Sequence, residues 1–94
     1  MHAARMIWWW LRRTASPALF SIRIEGGTAR LAKGQAPAAW VAACAEVGRD
    51  FGIERGVVDG ARSVRGVVLR FSPGVPAASH QRLRNLFAVY RRGR

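Results

Sequence analysis

Two tripeptides, Pro37-Ala38-Ala39 and Pro76-Ala77-Ala78, each open a stretch of helical spacing, and each follows residues that alternate apolar and polar. In the first unit Phe20, Ile22 and Ile24 alternate with Ser21 and Arg23, the period-two pattern of a half-buried strand. Gly26-Gly27 can supply the positive φ angles of a two-residue hairpin turn, and the chain returns through Thr28 to Lys33 with Ala29 and Leu31 facing inward. From Pro37 to Phe51 the residues Trp40, Cys44, Val47 and Phe51 form one apolar stripe, with Gly52 placed to end the helix. In the second unit, Gly56 to Arg62 reads as a strand, and Val67, Leu69 and Phe71 alternate along the next. Pro73-Gly74 breaks that strand, and a helix from Pro76 to about Tyr90 carries the stripe Ser79, Leu83, Leu86, Phe87 and Tyr90.

This order, ββαββα, predicts an α+β fold: a four-stranded, mainly antiparallel sheet with both helices on one face. A chain of 94 residues has room for one such core. We divide it into an N-terminal apolar and basic segment, residues 1–17, and a single small domain, residues 18–94. The expected core is Trp40, Cys44, Val47, Phe51, Leu69, Phe71, Leu83, Leu86 and Phe87. One cysteine cannot form a disulfide within the chain, so a disulfide-stapled scaffold is excluded.

Charge narrows the function. The chain holds 16 basic residues against five acids, a net charge of +11. The surplus is uneven. Residues 18–54 balance four bases with four acids, whereas residues 55–94 hold nine arginines and only Asp59. A compositional preference for arginine would charge both halves alike, so the C-terminal half is where a polyanion is expected to bind. On a helical wheel Gln81, Asn85 and Arg92 point away from the core, Arg84 and Arg91 share one flank, and Arg82 takes the other. Arginine forks suit phosphate oxygens, and Gln and Asn reach base edges or backbone groups. The competing reading is an ordinary solvated helix face with a basic end that complements the helix dipole. A second surface is the sheet face away from the helices, to which Arg23, Arg30 and Arg70 would each contribute. No aromatic side chain joins them there, so contacts would be with phosphates rather than stacked bases. The candidate nucleic-acid contacts are Arg70, Gln81, Arg82, Arg84, Asn85, Arg91 and Arg92.

The N-terminal segment offers an alternative. Met6 to Leu11 is an apolar run containing Trp8, Trp9 and Trp10, followed by Arg12 and Arg13. It is too short to span a bilayer, which takes about 20 apolar residues. Tryptophans beside arginines suit a membrane surface or a protein partner, and equally a cap on the core or a homo-oligomer contact. The expected place is the cytoplasm or the inner face of its membrane. An acidic protein partner is a third possibility.

Catalytic chemistry finds little footing. Cys44 lies within an apolar stripe, His80 has no carboxylate or cysteine at metal-ligand spacing, and no Walker or dinucleotide-binding spacing occurs. The expectation is a non-enzymatic module without metal or cofactor.

Certain stretches are similar to a known family. Phe71-Ser72-Pro73-Gly74-Val75-Pro76 with Gln81-Arg82-Leu83-Arg84-Asn85 resembles the C-terminal signature of small bacterial proteins grouped as domain of unknown function 3634. Phe20-Ser21-Ile22-Arg23, Gly26-Gly27, Gly34 and Pro37 resemble that family's opening hairpin and helix start. The resemblance implies no catalytic residues. Family members often begin with a hydrophobic segment that looks membrane-anchoring, and the six-residue run here departs from that pattern.

Overall fold

In a computed structural model, which describes residues 17–92, the chain forms six elements in the expected order. These are β1 (Phe20–Glu25), β2 (Thr28–Gly34), α1 (Ala38–Asp50), β3 (Arg55–Ser63), β4 (Gly66–Phe71) and α2 (Ala77–Arg92). The sheet order is β2-β1-β3-β4, and every neighbouring pair is antiparallel. The two hairpin–helix units are thus joined through their first strands.

Local chemistry explains the boundaries. Gly26 and Gly27 take φ angles of 54° and 90°, as a tight turn between right-twisted strands requires, and Thr28 Oγ1 donates to the Glu25 carbonyl. Pro37 precedes α1, where a missing N–H costs nothing. Gly52, at φ 62°, carries the chain out of the helix in a conformation that side chains disfavour.

Register divides the sheet into two faces. Phe20, Ile22 and Ile24 stand opposite Gly60, Val58 and Gly56, and Val58 and Gly60 stand opposite Phe71 and Leu69. Both helices pack on this face. Its buried centre contains Ile22, Ile24, Val58, Trp40, Cys44, Val47 and Leu83, with Ile53 and Val75 sealing the end. Trp40, Cys44, Val47 and Leu83 are fully buried, as the helical stripes require, while Phe51, Leu69, Phe71, Leu86 and Phe87 pack around them half-buried. Ala29 and Leu31 stand opposite Ile24 and Ile22 and so share that face, though Leu31 is 37% exposed because β2 is an edge strand.

The stretch from Phe71 to Pro76 has a structural task. Ser72 donates its backbone N–H to Val57 O, and its Oγ accepts from Val57 N, which prolongs the β3–β4 pairing beyond Phe71. Val75 is buried, and Ser79 donates from both N and Oγ to Pro76 O, closing the first turn of α2. His80 stacks on Phe71 with ring centroids 4.0 Å apart, and its Nε2 lies 3.0 Å from Val75 O.

Candidate nucleic-acid interface

The amphipathic spacing of α2 sends its polar side chains in three directions. Arg82 leans toward α1, where its Nη2 lies 2.8 Å from Asp50 Oδ2 and its guanidinium sits over the Phe51 ring. Arg84 leans the other way and covers the Phe71 ring at 5.3 Å. Arg91, on the same flank as Arg84, donates from Nη1 to Val67 O at 3.3 Å. Gln81 and Asn85 point to solvent and bond to each other, Nε2 donating to Oδ1 at 2.9 Å. Arg92 ends the helix. Trp8, Trp9, Trp10, Arg12 and Arg13 lie outside the described residues.

Arg70 sits in a different setting from the arginines of α2. It occupies the sheet face away from the helices, with Ser21, Arg23, Arg30 and Asp59, but its side chain is only 11% exposed. Its Nη2 is 3.8 Å from Asp59 Oδ2, and Asp59 is fully buried with Oδ1 accepting from Ser21 Oγ at 2.6 Å. An arginine beside a buried carboxylate offsets that carboxylate's charge. The strand alternation put Arg70 on the correct face; the cross-strand pairing of Asp59 with Arg70 decided its use. On the β1–β2 half of that face, Arg23 and Arg30 stand directly opposite each other and both are exposed.

Tertiary structure assembles a cluster at the opposite edge that sequence spacing did not indicate. Arg62, near the end of β3, is paired with Val67, so it shares the helix-bearing face with that residue. Arg65 lies in the exposed β3–β4 turn, where its N–H donates to Ser63 Oγ. Arg91 arrives from the last turns of α2 and bonds to the carbonyl of the same Val67. Three exposed arginines, 29 positions apart at the extremes, therefore meet around one strand end. The one available signal was the strand alternation, which pairs Arg62 with Val67 once the turn is placed at Val64-Arg65. Glu25, Asp50 and Glu54 lie at the other end of the sheet, where Glu25 faces Arg55 and Gly26 N donates to Glu54 O. Asp59 is on the opposite face. The cluster also sits at the C-terminal end of α2, whose dipole favours cations there.

Nucleophilic chemistry has no support at Cys44. Burial removes the thiolate's hydration and pushes the thiol pKa up to about 12. Among the described residues no group of three His, Cys, Asp or Glu side chains is placed to hold a metal ion, and no helix is long and apolar enough to cross a membrane.

The described residues form an α+β domain, a four-stranded antiparallel sheet carrying two helices on one face, with a cluster of arginines at one end. More particularly, the chain belongs to the family described as protein of unknown function DUF3634, whose model matches residues 2–93. No match is found among curated proteins, and none among solved structures.

Proposed function

We propose that the protein is a non-enzymatic basic module that engages nucleic acid through phosphate contacts made by its C-terminal half, within the cytoplasm. The observation that carries this reading is the convergence of Arg62, Arg65 and Arg91 at one sheet end, opposite the end that holds Glu25 and Glu54. Like charges brought together on a surface repel, and a bound polyanion relieves that repulsion. Arginine suits this task because its fork keeps several donors free after one is used, and Arg91 spends only one on Val67. The Arg84 side chain, on the same flank, extends the cationic strip along α2.

Salt dependence tests it. If the three arginines each neutralise a phosphate, log K against log salt should fall with a slope of about −2 to −3. Changing Arg62, Arg65 and Arg91 together to Gln should flatten that slope by about the same amount, while the melting temperature holds. A wild-type slope near zero, with either RNA or DNA, would refute the reading.

A further inference from the structure

Beside the arginine cluster the last turns of α2 and the loop leading into α1 border an open cleft of about 500 Å³. That volume is within the roughly 300–1,000 Å³ typical of pockets for small molecules. Phe87, Tyr90 and Pro37 provide apolar walls with Trp40 buried behind them, and Gln35 and Arg91 provide polar groups. The walls are braced from behind: the Phe87 ring lies 5.2 Å from Trp40 and 5.7 Å from Phe20. Trp40 is wholly buried, and its indole N–H finds no acceptor among the described residues.

We infer that this cleft receives an unpaired nucleobase, so that the nucleic acid engaged is single-stranded; the inference rests on the proposed phosphate-binding function. A base is flat enough for the aromatic walls, and its edge carries acceptors and donors for Gln35. Its own phosphate then falls to Arg91, which belongs to both the cleft and the cluster. An acyl chain would match the aromatic walls and leave both polar groups unserved. A duplex has no base to give without unpairing it. Among the described residues the sheet face away from the helices carries no aromatic side chain, so the aromatic contact expected of a single-strand binder is supplied by the helix end.

The experiment is fluorescence anisotropy with the full chain, using a labelled oligothymidine of about twelve nucleotides and a duplex of equal length. The expected result is tighter binding of the single strand. Tyr90→Leu, which keeps an apolar side chain at that site, should weaken single-strand binding roughly tenfold, leave duplex binding unchanged and preserve the salt slope. Gln35→Ala, at an exposed position, provides a second variant whose fold is not at risk and should weaken the same binding. Equal affinity for both probes, with both variants neutral, overturns the base pocket and leaves phosphate binding standing. Absence of salt-dependent binding to either probe overturns both. Binding to anionic phosphatidylglycerol vesicles that Tyr90→Leu abolishes, without oligothymidine binding, also overturns it and makes the cleft a lipid site.

Discussion

Gly60 gives a sharp test of the packing, because two opposed effects act there and the structure says which is larger. The residue lies mid-strand in β3 opposite Phe20, and both face the helices. Exchanging glycine for alanine in a strand ordinarily stabilises by about 0.5–1 kcal/mol, since alanine loses less backbone freedom on folding. At Gly60, however, an added Cβ would lie 2.1 Å from Phe20 Cε2 and 2.4 Å from Cζ. Carbon atoms in comfortable contact stand about 3.5–4.0 Å apart, so the ring must move by more than an ångström. It cannot move freely, because Phe87 lies 5.7 Å away and is itself held against Trp40. Forcing a methyl into such a core costs about 1–3 kcal/mol, and so deep an overlap belongs in the upper part of that range. Gly60→Ala should therefore destabilise by about 2 kcal/mol net. For a domain of this size that lowers the melting temperature by roughly 8–16 °C, readable by circular dichroism. In a Phe20→Leu background the same exchange should become neutral or stabilising, because the ring edge is gone. A Gly60→Ala protein that melts at or above the wild-type temperature would refute the reasoning.

Other perturbations separate stability from binding. Asp59→Ala should cost about 3–5 kcal/mol, more than Ser21→Ala at about 1–3, because it leaves the charge of Arg70 without its neighbouring carboxylate; urea denaturation reads both. Replacing Arg82, Arg84 and Asn85 together should cost at most about 1 kcal/mol per side chain, since the Arg82–Asp50 pair is nearly half exposed and the Arg84–Phe71 contact lies at the surface; a thermal melt decides it. Cys44 should make the fold sensitive to alkali. Its folded pKa is raised to about 12 from a usual value of 9.0, so above pH 9 the unfolded chain releases a proton that the folded one retains. That stability is fully present below pH 9 and is lost as pH rises toward 12, and Cys44→Ala should flatten the pH dependence of denaturation there.

Much of the architecture was legible in the chain because periodicity reports burial directly. The alternation of Phe20, Ile22 and Ile24, the Gly26-Gly27 turn, and the stripes through Trp40–Val47 and Ser79–Leu83 each follow from local geometry repeated over a few residues. A helix or strand must bury whatever lies on its apolar side, so these residues announce both element and face. The same reasoning foresaw Arg84 and Arg91 on one flank of α2 and Arg82 on the other.

Tertiary structure decided what each arginine does. Arg70 and Arg91 carry the same side chain, and the residues next to each do not say which one meets a carboxylate. Arg70 meets Asp59 because β3 and β4 pair in a register that sets those two opposite each other, while Arg91 meets Val67 because the end of α2 lies over the start of β4. Strand register and helix placement also bring Arg62 and Arg65 beside Arg91 and set Trp40, Phe87 and Tyr90 around one cleft. The physical reason is a difference in range. Hydrophobic periodicity is a local property that any window of the chain displays, whereas the energy of a charge or an aromatic edge depends on its neighbours in space. The sequence by itself therefore determined the elements, their order and their buried sides. Only the folded sheet and helices determined which cations are held against a carboxylate and which are left together at the surface.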